Sequence, residues 1–181
     1  MSEPVEYALP ANEKKGIGDV ILKPDSAQLI PGVQVIPYAL WPDDRGYFLE
    51  VCRIGEGGVA GFPAASTQVS AALSLPGTVK AFHIHRFQTD FWSPAAGMFQ
   101  VALVDLRPDS AAFGRRNTFY VGSLRPWQIV IPPGVGHGYK VISHEPGMLV
   151  YVTDRTYNPA DEGRIAYNDT GIHYDWELQH K

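Results

Sequence analysis

No stretch of roughly eleven or more residues in this chain holds an apolar repeat near 3.6 without a glycine or proline inside it. An amphipathic helix needs that repeat to bury one face, so strands must build the fold. The 18 glycines and 15 prolines are spread throughout. They punctuate the chain about every 8–12 residues, the spacing of short strands joined by turns. Runs rich in β-branched and aromatic residues lie between them, at 46–54, 78–85, 98–105, 127–131 and 147–153. Segment 78–85 alternates apolar with polar, whereas 98–105 is apolar nearly throughout and reads as a mostly buried strand. Residues 108–116 have room for one helical turn at most. The pattern predicts an all-β fold, a sandwich or a barrel-like jelly roll.

The length of 181 residues predicts one domain. We expect an N-terminal arm or edge strand over 1–25, a barrel over 26–156 and a wrapping C-terminal tail over 157–181. A net charge of −4 argues against a nucleic-acid partner, which needs a basic face. No apolar run approaches the roughly 20 residues that span a bilayer, and the first residues lack the apolar core of a signal peptide. The single cysteine, Cys52, suits a reducing compartment. A cytoplasmic protein without nucleic-acid or membrane partners is expected.

The densest chemistry reads Gly77-x5-His83-x-His85-x4-Asp90-x6-Gly97. On a strand, residues two apart share a face, so His83 and His85 point the same way. Asp90 starts the neighbouring strand and reaches the same space. Pro132-Pro-Gly-Val-Gly-His137 then supplies a turn and a histidine that opens a strand. Three histidines and a carboxylate suit a divalent transition metal. They equally suit a polar barrel lining without one. Trp92 and Trp127 read as packing residues. The spacing resembles the two signature motifs of the cupin superfamily, with Asp90 where glutamate is usual. That resemblance implies a double-stranded β-helix, a jelly-roll barrel with its site at the mouth.

A wider set of motifs narrows this. Asp44-Arg-Gly-Tyr-Phe48 is followed by Val79-Lys-Ala-Phe-His83, Val101-Ala-Leu-Val-Asp-Leu-Arg107 and Phe113-Gly114. Leu149-Val-Tyr151, Tyr157-Asn-Pro159, Tyr167-Asn-Asp169 and Asp175-Trp176 complete the order. The ordered set resembles the dTDP-4-dehydrorhamnose 3,5-epimerases, which are metal-free cupins and commonly homodimers. The resemblance implies a nucleotide-sugar substrate with a 4-keto-6-deoxy sugar. It implies that His83 removes the proton beside the ketone, that Asp169 holds the second nitrogen of that ring, and that Tyr151 delivers a proton from the other face. Arg45, Gln68 and Lys80 would bind the nucleotide and its phosphates. His137, at the mouth, and Tyr157, near the sugar, would face substrate with His85 and Asp90. No cofactor is expected on this reading.

One departure stands out. The family carries a lysine where this chain has Asp90. A carboxylate beside the enolate repels it, and two charges about 4 Å apart interact by roughly 4 kcal/mol at an effective dielectric of 20. Two alternatives therefore remain. One is a metal-dependent cupin enzyme, an isomerase or dioxygenase using His83, His85, Asp90 and His137. The other is a sugar-nucleotide binder without catalysis. The metal reading and the base reading compete for His83, because a ligand nitrogen cannot also take a proton.

Overall fold

A computed structural model describes residues 3–178 of the chain. The expected all-β fold forms as two facing sheets and a separate hairpin. The strands are β1 (Asp19–Val20), β2 (Gln34–Pro37), β3 (Leu40–Asp43), β4 (Gly46–Leu49), β5 (Gln68–Ser74), β6 (Val79–His85) and β7 (Asp90–Ala96). After them come β8 (Met98–Asp105), β9 (Arg116–Gly122), β10 (Trp127–Ile131), β11 (Val135–Val141), β12 (Gly147–Thr153) and β13 (Glu162–Arg164). Among the described residues the only helix is a single 3-10 turn, Gly57–Val59. One sheet has the order β1-β9-β8-β11-β6-β13 and the other β2-β10-β7-β12-β5. Strands β3 and β4 pair only with each other.

Alternation along the strands builds two cores. Phe99, Val101 and Leu103 of β8 point between the sheets, where they meet Phe119, Val121, Ile129, Ile131 and Leu149. Ala102, Val104 and Leu106 point the opposite way and meet Ile172, Tyr174 and Trp176 of the tail. Strand β8 is apolar on both faces because the tail covers its outer one. Phe82 seals that contact, with its ring 5.6 Å from Trp176 and 6.1 Å from Tyr174. Burial of each such side chain contributes about 1.5–3 kcal/mol. The first segment is stitched down as well. Ala8 N–H donates to Leu106 O, and β1 runs parallel to β9 at the sheet edge. Residues 1, 2 and 179–181 of the expected arm and tail lie outside the described residues.

Strand β6 carries the histidines and is irregular. His83 lies opposite His137 of β11, and Lys80 lies opposite Tyr139. Three steps on β6 thus match two on β11, which is a β-bulge. Strict alternation would send Lys80 to the side of Phe82 and Ile84. The bulge returns it to the side of His83.

Candidate active site

A cavity of about 510 Å³ opens between the sheets. Strand β6 contributes Lys80, His83 and His85 to its wall, and β11 contributes His137 and Tyr139. From the facing sheet come Asp90 and Trp92 on β7, Leu149, Tyr151 and Thr153 on β12, and Gln68 and Ala72 on β5. The loop after β12 adds Tyr157, and β13 adds Glu162 and Arg164. Its depth is graded: His137 and Asp90 are 3% and 4% exposed, whereas Tyr157 at the mouth is 58% exposed.

The sequence expectations divide here. His83, Tyr151, Gln68, Lys80, His85, Asp90, His137 and Tyr157 all line the cavity. Asp169 does not. Its Oδ1 accepts the Gly171 and Ile172 amides at 2.9 and 2.8 Å, which closes a turn in the tail. The carboxylate against His83 is Glu162, with Oε1 3.2 Å from Nδ1. Arg45 also falls outside the cavity. It sits at the tip of the β3–β4 hairpin, largely exposed, and pairs with Asp43 at 2.5 Å. The hairpin is a sheet of its own, and its Arg45 does not line the cavity of this chain. Trp92, expected as packing, does pack in the core and also donates Nε1–H to Asp90 Oδ2 at 3.1 Å.

Glu162 escaped the sequence reading because a three-residue strand leaves almost no pattern. Tertiary pairing gives it its place: β13 lies antiparallel to β6, with Glu162 opposite His85 and Arg164 opposite His83. Arg164 Nε donates to Glu162 Oε1 at 2.6 Å. Burial opposes ionisation of Glu162, but Arg164 and His83 outweigh it and hold its carboxyl below the ordinary range. Burial pushes the His83 imidazole down, with Glu162 acting against that, so it is mostly neutral near pH 7. Among the described residues no group pairs with its Nε2, and none bonds the Tyr151 hydroxyl.

Below His83 lies a second arrangement. Gln88 Nε2 donates to Asp90 Oδ1 at 2.7 Å. His137 Nε2 stands 3.6 Å from Asp90 Oδ2, and His85 Nε2 stands 4.0 Å from Oδ1. One ligand atom from each of the three lies within 4.8 Å of the others. His83 is not part of this group, so the expected four-residue metal set reduces to three. Its Nδ1 is turned to Glu162 instead. Burial holds the His137 ring well below the usual histidine range, with Asp90 opposing. Arg86, a conceivable partner for Asp90, pairs with Glu6.

The loop from His85 to Asp90 is set by acids outside the cavity. Asp161 accepts the amides of Arg86, Phe87 and Gln88 at 2.8, 3.1 and 3.2 Å, and Asp154 accepts that of Thr89 at 2.9 Å. Asp161→Ala leaves the Arg86, Phe87 and Gln88 amides without this acceptor and is expected to cost at least about 2 kcal/mol. A urea midpoint equal to wild type would refute this.

A family model described as dTDP-4-dehydrorhamnose 3,5-epimerase matches residues 27–181. The spore coat polysaccharide biosynthesis protein SpsL of Bacillus subtilis (strain 168) is 39% identical over 153 residues, which is 83% of this chain and 99% of that protein. The dTDP-4-dehydrorhamnose 3,5-epimerase of Pseudomonas aeruginosa is 32% identical, covering 83% and 84% of the two chains. A solved structure of dTDP-6-deoxy-D-glucose-3,5-epimerase from Legionella pneumophila, in complex with dTDP-4-keto-L-rhamnose, is 25% identical. It superposes with a TM-score of 0.65 over 82% of this chain and 80% of that one. The barrel is thus a cupin jelly roll of the epimerase kind, and the chain is an enzyme belonging to the dTDP-4-dehydrorhamnose 3,5-epimerase family.

Proposed function

We propose that this enzyme inverts carbon beside the C4 ketone of a 4-keto-6-deoxy sugar carried on a nucleoside diphosphate. His83 is the base, Glu162 its counter-charge and Tyr151 the acid. The observation that carries the reading is the placement of His83 and Tyr151. They belong to opposite sheets and line one cavity, so a sugar between them meets a base on one face and a phenol on the other.

His83 Nε2 takes the proton, the C–H bond breaks, and its electron pair moves onto the ketone oxygen as an enolate. The imidazolium formed keeps its Nδ1–H on Glu162, which Arg164 holds ionised. Tyr151 then gives its hydroxyl proton to the carbon from the other side, and water restores both groups. The cavity volume suits one sugar. Gln68, Lys80, Tyr157 and Arg164 stand toward the mouth, where two cations can meet a diphosphate.

The test is incubation with dTDP-4-keto-6-deoxyglucose in deuterium oxide, followed by NMR. Deuterium is expected at the carbons flanking the ketone. No exchange with this or other nucleoside diphosphate 4-keto sugars would sink the proposal. A cytoplasmic setting belongs to the same reading, in keeping with the one free cysteine. So does a homodimer. Strand β5 is a sheet edge, and Val69, Leu73 and Leu75 lie 60%, 62% and 67% exposed along it. Leu73→Glu is expected to halve the sedimenting mass. A wild-type protein that already sediments as one chain contradicts the dimer.

No helix among the described residues is long and apolar enough to cross a membrane.

A further inference from the structure

The deep end of the cavity holds charges that do not satisfy one another. His137 Nδ1 lies 3.0 Å from Val135 O, and that carbonyl makes Nδ1 the protonated nitrogen. Its Nε2 therefore turns a lone pair toward Asp90 Oδ2, with no donor between them at 3.6 Å. The His85 side chain is nine-tenths buried and faces the same carboxylate, yet its Nδ1 has no partner and its Nε2 lies 4.0 Å from Asp90, beyond a hydrogen bond. Among the described residues no lysine or arginine pairs with Asp90. Gln88 and Trp92 orient the carboxylate through neutral N–H donors and leave oxygen lone pairs directed at the imidazoles.

We propose that His85, Asp90 and His137 bind one divalent transition-metal cation, with His83 outside its ligand shell. Two ligands bound about 2.0–2.2 Å from one ion stand up to roughly 4.4 Å apart. His137 faces one Asp90 oxygen at 3.6 Å and His85 the other at 4.0 Å, and one ligand atom from each residue lies within 4.8 Å of the others, so side-chain closure by roughly a few tenths of an ångström would seat an ion. Two imidazoles and a carboxylate suit zinc, iron(II), cobalt(II) or manganese(II) rather than calcium or magnesium, which prefer oxygen. The supporting contacts are those that metal ligands need: a backbone carbonyl on the far nitrogen of His137, and two donors on the carboxylate. All three residues line the cavity, so positive charge held by them would lie beside a ketone oxygen gaining negative charge. This last step rests on the epimerase reading; the binding does not.

The experiment is titration of chelator-treated full-length protein with cobalt(II) alone, followed by calorimetry, visible absorption and elemental analysis. One equivalent per chain is expected. Asp90→Asn should weaken binding by at least about 100-fold, and Gln88→Ala by about 10–100-fold. His83→Gln should bind as wild type does while losing deuterium exchange. Circular dichroism confirms that each variant is folded. Absence of binding in wild type, or equal binding in Asp90→Asn, overturns the site. Equal loss in His83→Gln overturns the three-residue assignment. Stoichiometric cobalt in a protein that exchanges no sugar proton upholds the site and removes the epimerase reading instead. Exchange that is unchanged after the metal is stripped overturns its proposed catalytic part.

Discussion

His83→Asn lowers deuterium incorporation into the keto sugar by about 10²–10⁴-fold, the span that a positioned base contributes. Asparagine fits the site but cannot accept a proton from carbon. The fold should tolerate the change, because the side chain is 39% exposed and its one polar partner, Glu162, keeps Arg164. Two further variants separate the roles. Glu162→Gln leaves the base but removes the negative charge facing its imidazolium, so its rate should fall between wild type and His83→Asn. Tyr151→Phe should still let deuterium into the starting sugar, since proton removal is intact, while inverted product disappears. The measurement is NMR of substrate and product under single-turnover conditions. A His83→Asn protein exchanging at the wild-type rate rules out this histidine as base. Tyr151→Phe forming product normally rules out the phenol as acid.

Gly138→Ala is expected to unfold the protein at a temperature lower by several degrees. A Cβ there would lie 2.3 Å from Ala81 Cβ, 2.7 Å from Ala81 Cα and 2.8 Å from Lys80 O. Two of these are main-chain atoms of the bulge, which cannot swing aside as a long side chain would. Overpacking of this kind costs about 1–3 kcal/mol, and each kcal/mol lowers the midpoint by roughly 2–4 °C in a domain of this size. The strain also separates β6 from β11, so the positions of His83 and His137 should suffer with stability. Gly16→Ala is the control, because a Cβ there meets nothing within 4 Å. Equal midpoints for the two variants would show that the bulge is not tightly packed.

In three dimensions His83 stands apart from the other three candidate ligands. As sequence, His83, His85 and Asp90 in one motif and His137 in a second form one candidate set, and a ligand reading claims all four. In the fold, β13 puts Glu162 against His83 and takes it out of the group, while the other three stay together below it. Substitution of Asp90 for a cation also changes meaning. The carboxylate does not stand bare in the cavity; Gln88, Trp92 and two imidazoles surround it.

Local periodicity made much of the barrel readable. Segments 79–85, 98–105, 127–131 and 147–153 are strands where their residues alternate or run apolar, and the spacing of His83 and His85 was enough to set both on one wall. Such features depend on neighbours one or two residues away, and strand geometry repeats every two. The choice of carboxylate did not depend on neighbours. Asp169 and Glu162 both follow the last long strand, and only docking of β13 on the free edge of β6 decides which reaches the imidazole. Lys80 reaches the cavity through a bulge whose extra residue shows only when β6 is laid against β11. The chain's own alternation therefore determined that there would be a β-barrel with paired histidines on its wall. Tertiary structure decided which carboxylate stands beside His83, the place of Arg45 outside the cavity lining and the gathering of His85, Asp90 and His137, because those positions depend on strands remote in sequence.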